Sequence, residues 1–236
     1  MSILSAAQLG ELNAFFLIIL KNNLSEDAMT WLQTKVDAIQ TEEKSLQLIQ
    51  TFSQLPKHAG RSLIAISKEE SMQLSQLFLG FSLKGWTVDR LARVWLLMQV
   101  VPADKDNYLK KINALFNASE MNEQVALYSA LPFYHYPEDW ITRAENGIRS
   151  NIGTVLEAIM YHNPFAAAYL SENSFNQLVL KAFFTEKDVT KITGLHSRVN
   201  KTLQDTLSDY VAERTAAHRT VEPNIYQLIE LKHSEI

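Results

Sequence analysis

Apolar residues recur at helical spacing along nearly the whole chain, and little interrupts them. Leu9, Leu12, Phe16, Ile19 and Leu20 fall on one helical stripe. So do Leu46, Ile49, Phe52 and Leu55, then Leu91, Val94, Trp95 and Met98, and near the end Leu203, Leu207, Tyr210 and Val211. Residues three or four apart share a helix face, whereas a half-buried strand would alternate with period two. Seven glycines and six prolines in 236 residues are fewer turn residues than an all-β or α/β chain of this length needs. The expected fold is all-α, with about ten helices joined by short loops.

Cap chemistry proposes where the helices begin. Ser67 with Glu70, and Ser174 with Gln177, fit the capping box, in which the serine oxygen accepts from an orphan N–H and the Glu or Gln reaches back. Pro137 suits a first helical position, with Glu138 and Asp139 at the positive end of the dipole. Asn200 reads as an N-cap, Pro223 as the opening of the last helix, and Gly85 and Gly194 as breaks. Three helices are expected to end at an apolar-Pro step, Leu55-Pro56, Val101-Pro102 and Leu131-Pro132, because the residue before proline resists the α conformation. The steps suggest stacked helical hairpins, an α-solenoid-like shape. Their uneven spacing keeps a compact irregular bundle as the competing shape. No Pro/Gly/Ser-rich linker divides the chain, which reads as one domain over residues 1–236.

Composition excludes several classes. At 47% apolar residues the chain can bury a core, so disorder is excluded. A formal charge of −4 with both signs interleaved offers neither the basic face that a nucleic acid needs nor a polybasic patch for a membrane surface. No nucleic-acid partner is expected. The absence of cysteine rules out disulfides, thiolate catalysis and cysteine-ligated zinc. Met1 to Gly10 lacks the basic and apolar regions of a signal peptide, and the apolar run Phe15 to Leu20 is too short to span a bilayer. The expected location is the cytoplasm.

Familiar catalytic signatures are missing: no phosphate-cradling glycine loop, no dinucleotide fingerprint, no nucleophile elbow. The six histidines, His58, His135, His162, His196, His218 and His233, are scattered with no pair at metal-ligand spacing, and they read as surface or partly buried groups. The carboxylates form no Asp-rich run for magnesium. No cofactor and no metal is expected.

The C-terminal half is more informative. Arg143, Gly147 and Asn151 follow at steps of four and so share a helix face; Gln177 and Lys181 share another; Tyr210, Glu213 and Arg214 form a third cluster. A glycine inside a helix costs about 1 kcal/mol relative to alanine, so Gly147 points to close approach by another backbone or a ligand. Two readings stand side by side. In one, these residues are struts, with arginines paired to Glu157 or Glu213 and amides satisfying loop backbone. In the other, they line a pocket for a small anionic or hydroxylated ligand, with Arg and Lys as donors. Trp86, Trp95 and Trp140, with Phe183 and Phe184, read as core. Phe133, Tyr134 and Tyr136 follow a proline turn and read as a partly exposed loop suited to partner docking.

The order of several short pieces then becomes recognisable. Arg149-Ser150-Asn151 is followed by Asn163-Pro164, by NQLVLKAFF from Asn176, by GLHSRVN from Gly194 and by DYVAERTAAHRTVEP from Asp209. Together they resemble the EboA family, best over residues 143–230, with LYSALP from Leu127 extending the likeness upstream and the first 120 residues similar only as generic helices. Phe175, Thr215, His218 and the Ile225-Tyr226 pair stand where the family pattern has other residues, mostly tryptophans, which thins the aromatic content of this end. The matching polar positions, Arg149, Asn151, Asn163, Gln177, Lys181, Arg198, Glu213 and Arg214, form a candidate functional surface.

The resemblance implies an α-helical protein with no assigned reaction, encoded in a cluster with a UbiA-type membrane prenyltransferase and associated with moving a secondary-metabolite precursor across the inner membrane. It therefore implies a non-catalytic interaction or carrier protein. Its partners would be other proteins of that cluster and a small-molecule ligand, and it would meet the membrane peripherally through a partner. The alternative is a metal-independent enzyme in which Asn151, Lys181, Arg198 and Glu213 converge on a small polar metabolite.

Overall fold

Small polar residues start the helices where the chain supplies them. In the computed structural model, which describes residues 4–42 and 44–231, Ser67 Oγ accepts from the Glu70 N–H at 3.1 Å while a Glu70 carboxylate oxygen accepts from the Ser67 N–H at 2.8 Å. Ser5 and Gln8 form a second capping box, and Asn200 Oδ1 accepts from the Leu203 N–H at 2.9 Å. Among the described residues there are fourteen α-helices, three short 3-10 segments and no strand, only two isolated bridges joining Leu63 to Thr87 and Tyr161 to Ile192. The fold is all-α. His233 lies outside the described residues.

The helices are α1 (Ala6–Asn23), α2 (Glu26–Thr41), α3 (Leu46–Ala59), α4 (Lys68–Leu77), α5 (Val88–Leu97), α6 (Lys105–Ala118) and α7 (Met121–Ser129). They continue as α8 (Ile141–Arg149), α9 (Gly153–Met160), α10 (Phe165–Tyr169), α11 (Glu172–Phe184), α12 (Leu195–Arg198), α13 (Lys201–Ala216) and α14 (Asn224–Ile229). The count exceeds ten chiefly because α10, α12 and α14 have only five, four and six residues, too few to show a 3.6-residue period.

α5 is the hub. Every residue of it except Arg90 is buried, and it packs on α1, α3 and α7. α3, α5, α7 and α9 form a row in which each packs on the next; α8 then packs on α9 and α11, while α4 leans on α1 and α6 on α3. One cluster of buried apolar side chains runs from Leu12 in α1 to Leu228 in α14. Its aromatic centre sets Phe133 edge-on to Phe16 and Phe81, at 5.3 and 5.1 Å between centroids. Trp140, fully buried, donates its indole N–H to the His135 carbonyl at 2.8 Å, which removes the cost of burying that donor.

Several expectations need correction. α3 does not end at Leu55; it continues through Pro56 to Ala59. Proline lacks the N–H that would bond the carbonyl four residues earlier, and that freed carbonyl, Phe52 O, accepts from Arg93 Nε at 3.0 Å instead. Ser174 does not cap α11: Ser171, three residues earlier, accepts from the Ser174 N–H. Asn151 does not share a helix face with Arg143 and Gly147, because α8 ends at Arg149 and its C-cap Ser150 is extended. Arg143 donates to the amides of Asn113 and Asn117 rather than to Glu157 or Glu213. Phe133 and Tyr134 are buried and Tyr136 partly so, so this loop packs inward and presents no exposed aromatic surface. Phe184 is 63% exposed: it ends α11 one position past buried Phe183 and so points outward.

The glycine reading holds at Gly147. A Cβ there would lie 2.5 Å from Ile159 Cδ1 and 2.7 Å from the Tyr128 ring, so α8 sits close against α7 and α9 only because that atom is missing.

Candidate functional site

The eight positions of the candidate surface do not meet in one place. Arg149, Gln177 and Lys181 line a cavity of about 500 Å³ between α8 and α11. There Lys181 Nζ donates to the Ser150 carbonyl at 2.8 Å, at the negative end of α8, and Arg149 donates to Asn146 Oδ1 at 3.0 Å. Asn151 is exposed beyond the end of α8. Arg198 donates to the carbonyls of Ala167 and Leu170 at the end of α10 and lies 4.8 Å from the Phe175 ring centre, so the phenylalanine still serves as a cation-bearing face. Glu213 is exposed on α13. Arg214 stands over Tyr210 and donates to Thr220 O, lining a separate cavity of about 670 Å³.

Asn163 is different. It is buried at 2% exposure, donates to the carbonyls of Tyr128 and Ala158 and accepts from the Phe165 N–H. With both ends of its amide held, it fixes the turn that leaves α9. His162, just before it, is held at φ +50, a conformation a non-glycine residue rarely adopts without support. The bridge from Tyr161 to Ile192 and the bond from the His162 N–H to Lys191 O, at 2.9 Å, pin the same turn from the other side.

That turn forms one wall of a cleft of about 520 Å³. The opposite wall is the Lys84–Thr87 loop and the first turn of α5, with α7 and α9 between. Arg90 reaches into it. Its guanidinium lies 4.1 Å from the Trp86 ring centre and its Nε donates to Ser129 Oγ at 2.9 Å. Burial lowers its pKa to about 10, against the opposing pull of Glu157 and Asp89, so it stays charged near neutrality. No carboxylate among the described residues pairs with Arg90, Arg61 or Lys84, all of which line the cleft.

The two carboxylates of the cleft are matched from behind. Asp89 Oδ2 pairs with buried Arg93 at 2.8 Å, and Arg93 also faces Glu123 at 3.7 Å. Glu157 pairs with Lys187 at 2.5 Å. The unpaired charge facing the space is therefore cationic. Asp89 Oδ1 is closed off from the cleft and has no hydrogen-bond partner among the described residues, an uncompensated acceptor behind the cations. Tyr161 Oη accepts from the Asp188 N–H at 2.7 Å, and Lys191 lies over its ring at 5.1 Å. His162 is held below its ordinary pKa first by burial and then by Lys191 and Lys84, so its imidazole is neutral at pH 7. Among the described residues no group of three or more histidine, aspartate and glutamate side chains is placed to hold a metal ion, and no helix is long and apolar enough to cross a membrane.

The family model described as metabolite traffic protein EboA matches residues 12–230. The chain belongs to the EboA family. The match takes in α1 to α7 as well as the C-terminal half, so the likeness is not confined to residues 143–230. No curated protein and no solved structure matches the chain.

Sequence reasoning missed Asp89, Arg90 and Arg93, and placed Trp86 in the core, where it lies, without its part in the cleft. The signal was present: VDRLARVWLL places three charges in a helix apolar on every other side, and charges in such a helix end up paired or facing a cavity.

Proposed function

We propose that this EboA-family protein binds a small metabolite carrying an anionic group, and carries it without transforming it. One observation carries the reading: Arg90, stacked on Trp86 and anchored on Ser129, lines the cleft with no ion-pair partner among the described residues. A desolvated guanidinium prefers an anion, which it can bind with two parallel hydrogen bonds. The family description as a metabolite traffic protein agrees with this reading. Hand-over to other proteins of the same cluster, a UbiA-type membrane prenyltransferase among them, and work at the cytoplasmic face of the inner membrane rest on the family resemblance alone.

The test is native mass spectrometry of protein purified gently from its own host. A small mass that co-purifies, leaves on denaturation and is missing from Arg90→Gln is expected. A bare protein mass in the wild type sinks the carrier reading.

His162 favours a second reading. A neutral imidazole in a cleft with Glu157 is suited to moving a proton. Conversion of the co-purified compound on incubation, lost in His162→Asn, would distinguish chemistry from carriage.

A further inference from the structure

A second cavity, of about 350 Å³, opens beside the cleft between α4 and the loop leading to Gly85. Lys84 and Gly85 belong to the walls of both. Gly85, at φ +78, contributes no side chain to this shared segment. The floor of the groove is Leu74, Phe81 and Leu83, all buried.

Its polar wall is muted. Ser71 Oγ donates to Ser67 O at 2.9 Å and Ser75 Oγ to Ser71 O at 3.0 Å, so both hydroxyl hydrogens are already engaged by the helix backbone. Neither of these α4 serines demands a polar occupant; Ser82 Oγ, on the other wall, accepts from the Lys84 N–H at 3.1 Å. Ile64 and Ile66 complete the apolar lining.

We infer that cleft and groove form one site for an anionic amphiphile, its charged head against Arg90 and its hydrocarbon chain over Leu74 and Phe81. This deepens the carrier reading and rests on it for the head. The chain is argued separately, from the groove. An apolar chain leaves water on entering such a groove, while the head keeps the cations matched, so each half of the ligand explains a wall that the other half would waste.

Methyl, butyl, hexyl and octyl phosphate, titrated by calorimetry at fixed ionic strength below their aggregation limits, test it. Affinity is expected to rise about fourfold per methylene, the factor for taking one CH₂ fully out of water. Ser75→Trp, at an exposed position on the groove wall, should abolish that rise and leave methyl phosphate unchanged. Arg90→Gln should weaken the whole series. A flat series in the wild type, with methyl phosphate still sensitive to Arg90→Gln, overturns the groove and leaves the head reading standing. A rise that survives Ser75→Trp puts the chain elsewhere and also overturns it. Chain-dependent binding indifferent to Arg90→Gln overturns the head reading, and no binding by any member overturns both.

Discussion

The Arg90 guanidinium lies 4.1 Å from the centre of the Trp86 ring, four residues earlier in the chain. The indole face and the Ser129 hydroxyl together fix one flat cation in one orientation. Lysine has no plane to stack and no fork to present. Arg90→Lys should therefore leave the fold intact and weaken methyl phosphate binding about tenfold or more, the loss of one charge-assisted hydrogen bond. Calorimetry at low salt reads it, and equal affinity in the two proteins would remove Arg90 from the site.

Arg93 has a different task. It is 3% exposed, and it holds Asp89, Glu123 and the Phe52 carbonyl together. Arg93→Met keeps the volume but leaves two carboxylates and a carbonyl without their donor. Removing one partner of a buried pair costs about 3–5 kcal/mol. Urea denaturation should show a loss of that size, and a change below about 1 kcal/mol would show the triad to be weak.

Gly147→Ala sets two effects against each other. Helix propensity favours alanine by about 1 kcal/mol. The new methyl, however, would press on the Tyr128 ring and on Ile159 Cδ1, and overpacking of this kind costs about 1–3 kcal/mol. The Ile159 methyl can swing aside; the Tyr128 ring, packed edge-on to Phe116 at 5.2 Å, has less room. A net destabilisation is expected in thermal melts, and a stabilised variant would show that α8 can draw back.

Asn163→Ala strips the partner from two carbonyls and one N–H in the interior. Each orphaned buried group costs about 1–3 kcal/mol. The loss should be accompanied by faster amide exchange at His162, whose N–H the turn holds on Lys191 O. Lost stability with unchanged exchange there would mean that the turn stands without its clamp.

Acid should loosen the fold through two histidines. His135 and His162 are both held below the ordinary value of 6.5, each mainly by burial. Just below 6.5 the unfolded chain therefore binds more protons than the folded one, and protonation favours unfolding. This contribution is complete above 6.5 and is lost as pH falls through the folded values. The lowered pKa of Asp188 acts in the same direction, but only below its ordinary 3.8. Urea midpoints measured from about pH 5 to 8 should fall toward acid less steeply in a His135→Gln, His162→Gln protein than in the wild type; parallel curves would contradict this.

Much of the helical frame was legible because it rests on local chemistry. The Ser67 box, the Asn200 cap and the α1 stripe need only neighbours three or four residues apart. What failed depended on distant groups. The helix passes through Pro56 while Arg93, 41 residues on from Phe52, takes the freed Phe52 carbonyl. Phe133 and Tyr134 looked exposed after a proline turn, yet their pockets come from α1 and from Trp140. At the site, Gln177 and Lys181 were correctly placed on one face, since their spacing is helical. The Arg90 cleft drew on five separate stretches of chain, and spacing along a sequence carries no record of which of those stretches meet.

A helix normally satisfies its own backbone and can therefore slip along a neighbour at small cost. At Phe52 one rung is open, and a side chain of the next helix completes it. α3 and α5 are thus locked in register: a shift of one residue would strand a carbonyl and a guanidinium together, deep in the core. The helix so anchored is the one from which Asp89 and Arg90 emerge, one turn away. The position of the cation is set by the frame before any ligand arrives, and an occupant has to fit that rigid gauge.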